Sequence, residues 1–248
     1  LLEQTAAEHV AIAFDESLST SYRNEIYPEY KANRDPAPEE LKRQFGWSRA
    51  VAEAMGLSCY ADGRYEADDL IGTLAEYWRD RGHPICVVTS DKDLAQLVGD
   101  KDLWWDFSRN QKLNARQLAD KFGGEPHQMA DYLALAGDSV DNIPGVPGVG
   151  PKSASALLHH FGDLDSIYER LSEVEALSIR GAKSLRKKLS DHRDAAELAR
   201  KLTVIETSVE SALASPDLTR GEVDTARLNR LFDELAFGGM LRQRCLRI

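Results

Sequence analysis

Eight acidic side chains fall in four short clusters: Asp15; Glu66, Asp68 and Asp69; Asp91 and Asp93; Asp138 and Asp141. Asp15 and Asp91 each close an apolar run that reads as a strand. Ligands of open α/β sheets bind beyond the carboxyl ends of strands, so these two acids could face one cleft. Glu66, Asp68 and Asp69 open a helical pattern, where spacing by two and three lets at least two side chains turn toward the same point. Anions gathered this way repel one another unless a cation sits among them, and hard oxygen donors suit Mg2+ or Mn2+. Each cluster alone also suits an ordinary structural role. Acids in a first helical turn complement the helix dipole, Asp91 and Asp93 resemble a cap, and Asp138 and Asp141 suit a solvated loop. Together the eight carry most of the net charge of −10, leaving the rest of the surface nearly balanced. Two divalent ions would leave such a pocket still anionic, ready to orient a metal bridged to a phosphate.

Basic and glycine-rich segments supply the complementary chemistry. Lys31 and Arg34 lie three apart between Tyr27 and Pro36. If the segment is locally helical they share a face, and the pair would stabilise charge building on a metal-bound phosphate; a solvated linker is the plain alternative. The run from Gly145 to Ala154 has the form of a hairpin between two helices. Gly145, Gly148 and Gly150 allow close backbone approach to a phosphate, and the helix that carries Lys152 begins with free N–H groups. This is the pattern of a helix-hairpin-helix, which grips duplex backbone whatever its sequence; a tight interhelical turn is the alternative. Arg180 to Lys188 holds five basic residues and no acid, and Lys183, Arg186 and Lys187 read as a second phosphate-contacting strip or as an exposed helix face.

The elements that must position these groups follow from patterning. Residues 9–15 and 84–91 read as buried strands of a parallel sheet, with shorter strands at 57–60 and 103–107 and helices at about 38–55, 67–81 and 92–98. Strand signals stop near 113, and short helices follow. The expected fold is α/β, a mostly parallel sheet flanked by helices, with a mainly helical carboxyl half. We expect an α/β core over 1–112 and, packed on it, a helical region over 113–248 with the hairpin at about 136–162. The chain has 248 residues, 42% apolar and 29% charged, which is ordinary globular composition and excludes a disordered or low-complexity chain. No apolar run approaches the roughly 20 residues of a membrane span, and the start lacks a signal-peptide layout. Cys59, Cys86 and Cys245 are odd in number and far apart, which suits reduced thiols and a cytoplasmic location. Leu1 to Gln4 reads as the middle of a helix, so residues are expected upstream of Leu1.

Four ordered segments make the sequence resemble the 5′ nuclease family: the flap endonucleases, phage 5′ exonucleases and the amino-terminal nuclease domain of bacterial DNA polymerase I. They are Tyr30-Lys31-Ala32-Asn33-Arg34, Glu66 to Gly72, Thr89 to Leu94, and Gly137 to Val146 continuing through Gly150-Pro151-Lys152. The resemblance covers roughly residues 9–240. It implies that the eight acids match the family's metal-binding carboxylates, one site nearer Asp15, Glu66 and Asp68, the other nearer Asp91, Asp93 and Asp138. It implies that Lys31 and Arg34 contact the scissile phosphate within an arch, at about 22–50, with Tyr30 beside the unpaired terminal nucleotide. It also implies a potassium ion at the hairpin, with Val146 and Val149 as carbonyl donors. The expected function is metal-dependent 5′ to 3′ exonuclease and 5′-flap endonuclease action on DNA, by a monomer with no membrane partner. One departure stands out: no strand ending in Asp precedes His9. The alternatives are therefore a non-catalytic structure-specific DNA-binding protein with an incomplete site and, less suited to a duplex-gripping hairpin, a related metal-dependent ribonuclease.

Overall fold

The structure is a computed structural model and describes residues 1–16, 19–179 and 181–246. Arg180, which opens the basic strip, lies outside the described residues. In chain order the first elements are α1 (Leu2–Thr5), β1 (Ala11–Asp15), α2 (Tyr22–Ile26), α3 (Glu39–Ala54), β2 (Ser58–Asp62), α4 (Ala67–Arg79), β3 (Cys86–Val88), β4 (Leu103–Asp106) and β5 (Gln111–Leu113). Helices follow: α5 (Ala115–Phe122), α6 (Met129–Ala136), α7 (Pro151–Phe161), α8 (Leu164–Glu169), α9 (Ala182–Asp191), α10 (Arg193–Thr203), α11 (Glu210–Leu213), α12 (Thr225–Glu234) and α13 (Gly239–Cys245). The chain forms two compact units, each discontinuous in sequence. One comprises Leu1–Thr20, Asp35–Tyr77 and Thr207–Ile248, the other Ser21–Arg34 and Trp78–Glu206.

In the first unit β1 and β2 pair in parallel, from Ala11 opposite Ser58 to Asp15 opposite Asp62. Leu70 and Leu74, one turn apart on α4, are buried with Val209 and Ala212 against Ala11, Ala13 and Tyr60 of the strands. Each such leucine contributes about 1.5–3 kcal/mol by leaving water. A second cluster joins Ala54 at the end of α3 to Leu228 and Phe232 of α12. The apolar spacing of both helices thus does what it predicts, holding the start of α4 beside the end of β1.

In the second unit β3 runs parallel to β4, and β4 antiparallel to β5. With β1 and β2, two of the three described ladders are parallel, as the continuous apolar runs imply. Three details differ from the sequence reading. The strand expected over 84–91 is only Cys86–Val88, and of these Val87 alone is buried, Val88 being 43% exposed. Its one described ladder is with β4, and two of its three residues stay at the surface. The helix expected over 92–98 is a tighter 3₁₀ turn, Asp93–Leu97, entered as the Asp91 carboxylate accepts the Asp93 N–H at 2.9 Å. Strand β5 is three residues long, too short to show alternation in the sequence. Beyond it the chain is helical as expected: α6 lies between α10 and α7, and Leu135, Leu157, Leu158, Ile167 and Leu189 form a core at most 1% exposed.

Candidate active site

The acids of the first unit stand at the amino terminus of α4. Asp15 ends β1 and its Oδ1 accepts the Ala67 N–H at 2.7 Å, so a strand end and a helix start are joined through one carboxylate. Asp69 is fully buried, and its Oδ2 accepts the Glu66 N–H at 3.0 Å, the capping contact that acids in a first turn make. Glu66 is 7% exposed and Asp68 half-buried. The Asp15 and Asp69 carboxylates thus meet backbone donors at the positive end of a helix.

The acids of the second unit meet side-chain cations. A short antiparallel bridge ties Asp138 to Ile143, and within it the Asp138 Oδ1 accepts the N–H of Val140 at 2.7 Å and of Asp141 at 3.3 Å. Its Oδ2 accepts from the Lys92 ammonium at 2.8 Å. Burial works to raise the Asp138 pKa, but Lys92 and the two amides outweigh it and hold the carboxyl below its ordinary value. Asp93 is the opposite case. Burial, with the charges of Asp91, Asp138 and Asp141 added, pushes its pKa up to about 7 against the pull of Lys92. Its Oδ1 is buried with no hydrogen-bond partner.

Lys31 and Arg34 join this group from the other end of the unit. The Lys31 ammonium lies 3.7 Å from Asp141 Oδ2, and the Arg34 guanidinium pairs with Oδ1. Tyr30 donates its hydroxyl to Asp141 Oδ2 at 3.1 Å, while its ring is 3% exposed and packs in the helical core. That placement makes Tyr30 a buttress of the segment and leaves its ring little open face for a nucleotide.

At the hairpin Gly145 has φ +58, and a Cβ there would lie 2.3 Å from the Gly137 nitrogen, so only glycine fits. Gly148 has φ +75 and sits under Lys188, whose ammonium donates to the Gly148 carbonyl at 3.0 Å. Val146 and Val149 are buried, and the Val146 carbonyl accepts the Val149 N–H at 3.0 Å. Gly150 caps α7, whose exposed Lys152 follows Pro151. On α9, Lys183 and Lys187 are exposed and Arg186 pairs with Glu175 at 2.7 Å.

Two family models match consecutive parts of the chain. A family model described as the 5′-3′ exonuclease N-terminal resolvase-like domain matches residues 1–123, and one described as the 5′-3′ exonuclease C-terminal SAM fold matches 124–226. A flap endonuclease Xni of Klebsiella pneumoniae is 39% identical over 201 residues, covering 81% of this chain and 77% of that protein. The chain belongs to the 5′-3′ exonuclease family. A DNA polymerase I of Pseudomonas aeruginosa is 40% identical over 232 residues, 93% of this chain but 25% of the polymerase, so the chain spans a quarter of that relative's length. In fold it is similar to a solved bacteriophage T5 flap endonuclease in a pseudo-enzyme–product complex with DNA and metal ions: TM-score 0.67, 20% identity, covering 99% of this chain and 84% of that one.

Within the family frame, the residues present can be tested for a metal. Among the described residues no group of three or more His, Cys, Asp or Glu side chains is spaced to hold an ion unaided. The donors of the second unit nevertheless fit a hard cation. A buried carboxylate oxygen lacks a hydrogen-bond partner, like charges surround it, and the Lys92 ammonium already bridges toward Asp138 and Asp93, at 2.8 and 3.9 Å. Lys92 is the residue that sequence reading left without a role. The signal was present, a lysine set between two acids, but its partner Asp138 is 46 residues away and visible only in the fold.

The cysteines are free, as expected. No helix among the described residues is long and apolar enough to cross a membrane.

Proposed function

We propose that this chain is a structure-specific 5′ nuclease that hydrolyses DNA phosphodiester bonds at free 5′ ends and at 5′ flaps. The observation that carries the reading is the meeting, in one unit, of the Lys31–Arg34 pair with the Asp138–Asp141 loop beside the unsatisfied Asp93 carboxylate. Asp15, Glu66 and Asp68 would hold one Mg2+ or Mn2+, and Asp91, Asp93 and Asp138 a second. Such ions supply, when bound, a hydroxide at neutral pH and stabilisation of the leaving oxygen. Lys31 and Arg34 bind and orient the scissile phosphate and neutralise charge that grows on it, the kind of preset electrostatic contribution worth about 10²–10³ in rate. No covalent nucleophile is required of the protein.

Binding of the duplex falls to the hairpin and its neighbours. The backbone of Gly145, Gly148 and Gly150 and the N–H groups at the start of α7 face a phosphate, with Lys152 adding charge. Lys183, Arg186 and Lys187 extend the contact, and carbonyls of Val146 and Val149 would take a potassium ion. The enzyme acts as a monomer in the cytoplasm.

The test is a gel assay on a 5′-flap duplex labelled at the flap, with magnesium and with EDTA. Release of a short labelled product in magnesium, abolished by EDTA while the protein still shifts the DNA in calcium, is the expected result. A chain that shifts the flap and never shortens it is a DNA-binding protein, and the hydrolytic reading falls.

A further inference from the structure

The hairpin carries no charged residue between Gly145 and Pro151, and its own first cation is Lys152 on α7. A second cation reaches it from another helix. Leu185 and Leu189, one turn apart on α9, are buried in the same core as Val146, Val149 and Leu157, which sets α9 against the hairpin. Lys188 lies at the rim of that contact, and its ammonium donates to the Gly148 carbonyl at 3.0 Å. Gly148 makes the room: a Cβ there would lie 2.5 Å from the Lys188 Nζ, 3.0 Å from Cε and 3.4 Å from Cδ, so the lysine stem runs over the turn where a side chain would otherwise stand. The rest of the basic strip is placed differently. Arg186 is turned to Glu175 at 2.7 Å, while Lys183 and Lys187, four apart on one helix face, are exposed.

We propose that Lys188 is a phosphate contact of the hairpin: anchored on the Gly148 carbonyl, its ammonium meets the same duplex backbone that approaches Gly148, Gly150 and the start of α7. The proposal rests on the duplex-binding part of the nuclease reading and adds a residue that the strip's sequence did not single out. An ammonium has three N–H donors. Among the described residues the Gly148 carbonyl takes one of them, and two remain for phosphate oxygens. A carbonyl oxygen by itself repels a phosphate, and a cation bonded to it reverses the local sign. A lysine seated in this way has also given up part of its rotamer freedom before DNA arrives, so less is lost on binding.

The experiment uses the full chain and a blunt DNA duplex, with calcium and potassium held constant while sodium chloride is varied. The slope of log affinity against log salt counts phosphate contacts, at about 0.9 for each. Lys188→Gln keeps a donor for the Gly148 carbonyl and loses the charge, Lys188→Arg keeps both, and Lys101→Ala removes a charge from the loop ahead of β4. Lys188→Gln should lower the slope by about 0.9 and weaken binding by about 10-fold near 0.1 M salt. Lys188→Arg should restore both, and Lys101→Ala should keep the parent's slope. A Lys188→Gln variant that binds more weakly at the parent's slope, or binds as the parent does, overturns the proposal, because the lysine then does no more than brace Gly148. Acetylation of the parent, read by mass spectrometry, carries the test should Lys188→Gln fail to fold. Duplex should protect Lys188 by about 5-fold or more and leave Lys101 unprotected, and equal acetylation of Lys188 with and without duplex overturns the proposal. A parent that binds duplex with the expected loss of slope on Lys188→Gln, yet leaves a 5′ flap uncut in magnesium, refutes hydrolysis and supports the contact. A parent that cuts the flap while Lys188→Gln keeps the slope refutes the contact alone.

Discussion

Four acids of each unit share a chemistry and differ in what answers their charge. In the first unit the Asp15 and Asp69 carboxylates accept backbone N–H groups at the start of α4, which are present whenever the helix forms. In the second unit the donors are largely side chains brought from afar, Lys92 to Asp138 and Lys31 and Arg34 to Asp141, and Asp93 is left with a raised pKa. Helix ends stabilise anions through geometry that one segment supplies by itself. A cluster held by lysines and arginines needs the tertiary fold, and its balance changes when any one charge is removed. The contrast suggests a division of labour in the 5′-3′ exonuclease family frame: a preset anionic platform in one unit, an adjustable charge network in the other.

The comparison is broken most sharply by Asp138→Ala, which should cut flap cleavage by about 1,000-fold or more while calcium-supported DNA binding persists. Near-normal turnover in magnesium would show that the second-unit acids hold no catalytic ion. Next in size is the pH response of the EDTA-treated protein. Asp93 has a folded pKa of about 7 against an ordinary 3.8, so the folded state binds more protons between those values and stability falls as pH rises through that window. Urea unfolding at pH 5 and pH 8 should differ on the order of 2–4 kcal/mol from this group, and Asp93→Asn should flatten the difference. A parent as stable at pH 8 as at pH 5 would count against the buried, repelled carboxylate. Smaller again is Gly148→Ala, whose methyl would sit 2.5 Å from the Lys188 ammonium at φ +75. It should cost about 1 kcal/mol in thermal unfolding and loosen duplex binding a few-fold, with little change in the rate of cleavage once DNA is saturating. Smallest is Asp15→Asn: the amide oxygen still accepts the Ala67 N–H, so stability should stay within about 0.5 kcal/mol even as cleavage drops. A large fall in melting temperature would mean that the charge, and not the acceptor, fastens β1 to α4.

Much of this was legible along the chain. Helices α3 and α4 lie within a residue or two of their expected spans because their apolar stripes and flanking acids are local signals. Strands β1, β2 and β4 follow apolar runs long enough to register. The shortened β3, the 3₁₀ turn at 93–97 and β5 were not legible, since pairing and burial decide them and no pattern of three to five residues separates the options. In the site, Asp15, Asp91 and Asp138 stood out by their place at segment ends. Tyr30 did not announce its burial, nor Lys188 its hold on the hairpin.

What the sequence determined alone was the inventory: eight carboxylates in order, a basic pair, and a glycine hairpin whose backbone angles exclude other residues. Those features depend on residue type and near neighbours, which is information a linear chain holds. Tertiary structure decided which charge answers which. Lys92 meets Asp138 and Arg34 meets Asp141 across 46 and 107 residues, and whether a carboxylate keeps its proton depends on the dielectric and the company that folding supplies.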